Sequence, residues 1–282
     1  PHTPIDRGYD ESLAFLVGAV PYAAPGSQDI VSATNQSLDF LLLRLTNFHV
    51  AHNNGPRFRP DRYMTDYLSD QAVELIRALQ HTSRAEGDEA HSPFFMTLAY
   101  NAPHNPFQAL KSDFDPLGHI ASHHLRVYAA MIAALDRGVG KVLAALREAG
   151  PSVYDNTLVI FTSDNGGASY LKSDHEGGIR VPLLWQWPAR LSARTVVDKP
   201  VISMDIVASI LDAAKGDNEA SSEGNSVPLD GVSLLPLLSP DASTTTDSGS
   251  EQRERMFFWR SGDFRAMRFG NHKLLTHLHP DK

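Results

Sequence analysis

Apolar positions along this chain fall into three kinds of run, and each predicts a different element. Leu68, Ala72, Leu75, Ile76 and Leu79 recur at helical spacing behind Thr65, a capping residue, and Asp66, whose charge suits a helix N-terminus. Leu125, Tyr128, Ala129, Ile132, Leu135, Val139, Val142, Leu143 and Leu146 predict a long helix over 122–149, stopped by Gly150-Pro151. Ile206, Val207, Ile210 and Leu211 predict a third over 203–214. Residues 93–100, 157–162 and 181–187 are instead unbroken apolar runs of strand length, as strands buried on both faces are. Short apolar runs at 256–259, 264–268 and 273–276, separated by turns, suggest a small antiparallel sheet. The first sixty residues are rich in turn signals, and the run 38–45 is too short to assign by period.

Strand, helix and strand over 93–162 make a right-handed parallel crossover the default. The loops after the two strands should then share one sheet edge. The first loop reads Asn101-Ala102-Pro103-His104-Asn105-Pro106, and the second Ser163-Asp164-Asn165-Gly166-Gly167. His104 is thereby expected near Asp164 and Asn165. A carboxylate beside a carboxamide at a strand's carboxyl end suits a hard cation such as Ca²⁺ or Mg²⁺. Asn-Gly is also a strong turn signal, so a plain turn remains the alternative.

Composition narrows the field. At 282 residues the chain is one large α/β domain or a main domain with a small appendage, and 42% apolar with 21% charged residues is ordinary for a globular protein. A net charge of −8 without a basic stripe argues against nucleic acid, and no apolar run approaches the ~20 residues that span a bilayer. The absence of cysteine excludes disulfides, thiolate metal sites and a cysteine nucleophile within this sequence. The redox compartment and the oligomeric state are left open. The sequence opens Pro1-His2-Thr3-Pro4 and is expected to be an excerpt of a longer product.

Six segments, in order, resemble the sulfatase family of the arylsulfatase type, within the alkaline-phosphatase superfamily. They are Tyr63-Met64-Thr65-Asp66-Tyr67 and the stretches 94–106, 128–140, 156–167, 176–182 and 258–262. The resemblance implies an alkaline-phosphatase-like α/β fold, a mostly parallel sheet flanked by helices, with a small C-terminal antiparallel sheet. Residues 1–238 would be the catalytic domain without its N-terminal part, and 239–282 the start of a small C-terminal subdomain. Asp164 and Asn165 match the family's late pair of ligands to a divalent cation, usually calcium. His104 matches the histidine that contacts the sulfate and protonates the leaving alcohol, a task suited to imidazole. Lys172 stands where the family has a sulfate-binding lysine. The Arg-Gly that usually accompanies that lysine is absent, and the segment 165–176 is short, so a solvated loop lysine is the alternative. Glu176 and Arg180 are expected to shape the loop.

The family nucleophile is a Cys or Ser in a C/S-x-P-x-R segment, converted to formylglycine, and no such segment occurs here. The expected function is that of a sulfuric ester hydrolase acting on aryl or sugar sulfates, in a chain that lacks the nucleophile and is inactive alone. Competing readings are an inactive sulfatase-like binding module, favoured by the missing nucleophile and the short loop, and a superfamily phosphodiesterase. The partners implied are sulfated small molecules or glycans, and the family's usual setting is secreted, lysosomal or periplasmic.

Overall fold

The computed structural model describes residues 3–15, 20–33, 46–85, 93–167, 176–215, 228–238 and 255–277. The chain divides between Tyr154 and Asp155 into two compact units.

In the first unit a 3₁₀ turn, Ile5–Arg7, precedes strands β1 (Leu13–Ala14), β2 (Ile30–Ser32), β3 (Val50–His52) and β4 (Arg57–Phe58). Helix α1 (Met64–Ala85), β5 (Gln108–Leu110), the one-turn α2 (Lys111–Phe114), α3 (His123–Glu148) and α4 (Pro151–Tyr154) follow. β1, β3 and β4 form one antiparallel sheet, and β2 and β5 a second. Both long helices form where the periodicity predicts them. Ser122 caps α3 by accepting from the Leu125 N–H. α1 begins at Met64, one residue before the expected cap, so Thr65 is fully buried inside the first turn.

Helix α3 packs on α1 through its small residues. Val127, Ala130, Met131, Ala134 and Gly138 are buried, whereas Leu125 (55% exposed) and Ile132 (41%) face outward. This departs from the expected face because at Gly138 the two helices approach too closely for any side chain. A Cβ on Gly138 would lie 2.3 Å from the Ser69 hydroxyl oxygen. The core of this unit joins Val20, Tyr22, Phe48, Val50, Tyr63, Met64 and Leu68 to that face.

The second unit holds β6 (Val159–Thr162), α5 (Glu176–Ile179), β7 (Leu183–Gln186), α6 (Met204–Lys215), α7 (Leu235–Leu238) and β8 (Met256–Ser261), β9 (Phe264–Phe269) and β10 (His272–His277). β8, β9 and β10 form the expected C-terminal antiparallel sheet. α6 also turns a different face inward. Asp205, Ala208 and Ser209 are buried while Val207 and Leu211 are exposed, because a carboxylate and a hydroxyl on that face bond neighbouring backbone.

The α/β class stands, but the parallel crossover does not form among the described residues, where every strand ladder is antiparallel. Among the described residues β6 pairs only with β7, and it is half-buried rather than enclosed on both faces. Residues 93–100 form no ladder. They keep the burial signature of a strand, exposed and half-buried in alternation, with Phe95 61% exposed. Side chains hold them instead. The Tyr9 and Thr97 hydroxyls are 2.8 Å apart, Tyr9 packs on Phe95 with ring centroids at 5.9 Å, and Tyr100 bonds Ser69 at 2.9 Å. A strand-like sequence forms a ladder only where a neighbouring backbone is present to accept it.

Candidate active site

His104 sits on an exposed loop pinned from beneath. Its N–H donates to the Asn101 carbonyl at 2.8 Å, closing the turn. The hydroxyl of Tyr22, itself fully buried, lies 2.6 Å from the Asn101 carbonyl oxygen and 2.8 Å from that of His104, and its one proton serves both. Burial pushes the Tyr22 phenol well above its ordinary pKa, so it remains a donor. Tyr22 is fixed in turn. Its N–H donates to Gln108 Oε1 at 2.9 Å, its carbonyl accepts from Met64 N–H at 2.8 Å, and its ring stacks on Tyr63. The Tyr63 hydroxyl donates to the Gln108 carbonyl at 2.8 Å. The segment beginning at Tyr63 thus braces the His104 loop through Tyr22 and Gln108.

The imidazole has a defined tautomer. Nδ1 lies 2.6 Å from the Asn105 carbonyl oxygen. That oxygen can only accept, so Nδ1 carries a proton. Nε2 makes no hydrogen bond to another described residue. Neutral, it presents a lone pair; protonated, it presents an N–H to whatever enters.

Asp164 and Asn165 share one turn after β6, in the second unit. The Asn165 N–H donates to Asp164 Oδ1 at 2.8 Å, the Ser163 hydroxyl to the Asn165 carbonyl at 2.8 Å, and Asn165 Nδ2 to the Gly166 carbonyl at 3.1 Å. These bonds leave Asp164 Oδ2 and Asn165 Oδ1 without a partner among the described residues. Two adjacent hard oxygens fit a divalent cation in donor type and fall short of a full shell of six to eight. Among the described residues no group of three or more His, Cys, Asp or Glu is placed to hold a metal ion. Lys172 lies outside the described residues. His104 and the Asp164–Asn165 turn belong to different units.

A family model described as Sulfatase matches residues 23–216. The chain is 30% identical over 227 residues to the uncharacterized sulfatase YdeN of Escherichia coli, covering 72% of this chain and 37% of that protein. The chain belongs to the sulfatase family. It is 31% identical over 234 residues to the steryl-sulfatase of Mus musculus, covering 76% of this chain and 33% of that protein. The sulfatase chain therefore spans about a third of the length of these curated relatives. The crystal structure of Ps i-CgsB matches with a TM-score of 0.73 at 29% identity, over 97% of this chain and 59% of that one. The same protein in complex with k-i-k-neocarrahexaose matches with a TM-score of 0.71.

The sequence singles out His104, Asp164 and Asn165 as candidates but gives no sign of Tyr22 and Gln108, which hold the His104 loop. Pro21-Tyr22 sits in a turn-rich stretch that carries no period, and long-range hydroxyl-to-carbonyl bonds leave no pattern in sequence.

Proposed function

We propose that these residues form part of the active site of a sulfuric ester hydrolase acting on sulfate esters of aryl or sugar alcohols. The observation that carries this reading is the disposition of His104, with its main chain pinned by Tyr22, Nδ1–H spent on Asn105 and Nε2 open. A ring held at one nitrogen and available at the other can deliver a proton at a fixed point. His104, protonated at Nε2, hydrogen-bonds the ester oxygen and passes its proton to the departing alcohol. Asp164 Oδ2 and Asn165 Oδ1 are the proposed ligands of a divalent cation, calcium by family resemblance. When bound, that ion supplies positive charge against the sulfate oxygens. Lys172 is proposed to bind sulfate through its ammonium. The nucleophile is assigned to a formylglycine-bearing segment outside these 282 residues, so these residues alone should not turn over.

Sulfated glycans are the proposed substrate class, supported by the hexaose bound to the structurally similar Ps i-CgsB. No helix of the described residues is long and apolar enough to cross a membrane. A secreted, lysosomal or periplasmic setting is proposed from the family alone. The reading is tested in a polypeptide carrying these residues together with a formylglycine-bearing segment. Release of 4-nitrophenol from its sulfate ester, with at most a trace from the phosphate, is expected. Preference for the phosphate would replace this reading by a phosphoesterase, and inactivity on both esters by a binding module.

A further inference from the structure

The turn carrying Asp164 and Asn165 is held from behind. Gly166 lies so close to α5 that an ideal Cβ there would stand 1.7 Å from the Gly177 carbonyl oxygen, and its N–H donates to the Gly178 carbonyl at 2.9 Å. The position of the turn is therefore set by the position of α5. Helix α5 is only four residues long and cannot hold itself in place, since isolated helices of that length are unstable in water.

Its anchor comes from the C-terminal sheet. Lys273 Nζ donates to Glu176 Oε1, on the first residue of α5, at 2.9 Å. The Lys273 side chain is only 19% exposed, against 54% for Glu176, so the lysine is the fixed member of the pair. It leaves β10 with its ammonium 5.9 Å from the centroid of the Trp259 ring, on β8. Six paired positions from β10 to β9 and six from β9 to β8 fix its base. An ion pair with one exposed partner adds at most about 1 kcal/mol to global stability. Its leverage here is positional, because it joins a three-stranded sheet to the one turn of helix on which Gly166 rests.

We propose that Lys273 and Glu176 are positioning residues for the cation site, fixing the Asp164–Asn165 turn through the contact of Gly166 with Gly177 and Gly178. The proposal rests on the cation reading given above. Lys273 touches neither the cation nor the substrate and acts only through α5.

The test is a titration with Tb³⁺ of the polypeptide carrying these residues together with the formylglycine-bearing segment, read by luminescence sensitised through its Trp and Tyr residues and competed with Ca²⁺. Asp164→Ala should abolish the competed signal. Lys273→Met should weaken binding roughly tenfold, the lower end of the effect of outer-shell partners on metal affinity. The melting temperature should barely move. Exchanging the charges, Lys273→Glu with Glu176→Lys, should recover most of the affinity, which a merely structural role for Lys273 would not predict. Affinity of Lys273→Met within about twofold of the unaltered chain, with Asp164→Ala still abolishing the signal, overturns the positioning role and leaves the cation reading standing. Binding that is absent from the unaltered chain, or indifferent to Asp164→Ala, overturns the cation reading and the positioning role with it. Should Lys273→Met lose its far-UV circular dichroism, Glu176→Gln in the same titration decides on the same threshold.

Discussion

Gly166 has no room for a side chain, because the Gly177 carbonyl oxygen occupies the place a Cβ would take. Gly166→Ala must push the turn away from α5 and should cost about 1–3 kcal/mol, the range for overpacking a filled site. A urea midpoint unchanged by the substitution would show that the two segments separate freely. Tyr22 poses the opposite case, since its hydroxyl is the donor to two carbonyls of the His104 loop. Tyr22→Phe keeps the ring and removes the donor, leaving the part-buried His104 carbonyl unmet at about 1–3 kcal/mol while the Asn101 carbonyl keeps the His104 N–H. The His104 imidazole should broaden or shift in NMR spectra of that variant, while an unaltered His104 resonance would deny Tyr22 its bracing role. The candidate donors were legible in the sequence because their chemistry is carried by residue type and neighbours, as in Asp164-Asn165-Gly166. The braces were not, because a phenol reaching across the fold is set by tertiary packing alone.

At the level of elements, polar groups decide which faces turn inward. Asp205, fully buried near the start of α6, accepts from the Ile202 and Val232 N–H groups at 3.0 and 2.9 Å and from both terminal nitrogens of Arg255 at 2.9 and 3.0 Å. Burial pushes its pKa up, but the Arg255 and backbone bonds outweigh it, so the folded pKa lies below the ordinary carboxylate value. The sign follows from linkage. A depressed folded pKa gives stability that is fully present above the unfolded value of about 3.9 and is lost as pH falls through the folded value. Asp205→Asn should therefore lower the urea midpoint clearly near pH 6, with a gap that closes on acidification below about pH 4. A gap independent of pH would remove Asp205 as the titrating group. This hub also explains why the hydrophobic period of α6 pointed to the wrong face: periodicity weighs apolar area and is blind to a buried ion pair. The same blindness affected α3, where closeness to α1 leaves no room for a side chain at Gly138. Residues 93–100 show the limit for strands, since an apolar run states a preference and a ladder needs a neighbour. Their backbone makes no hydrogen bond to another described residue, so their amides should exchange with solvent well ahead of those in mid-α1 and mid-α3. Protection equal to that of the helices would reveal a ladder.

For the whole molecule, His104 lies in one compact unit and the Asp164–Asn165 turn in the other. Family membership was legible because six short segments that resemble the family stand in its order along the chain. In the proposed reaction His104 hands its proton to the leaving alcohol. The direct measurement is the dependence of turnover on leaving-group pKa, for aryl sulfates of graded acidity, in a polypeptide carrying these residues with a formylglycine-bearing segment. His104→Ala should lower turnover of an unactivated ester by ~10²–10⁴-fold, the usual range for losing a general acid, and the loss should shrink steadily as the phenol becomes a better leaving group. An equal loss across the whole series would show that His104 only binds sulfate, and no loss anywhere in it would place His104 outside the site.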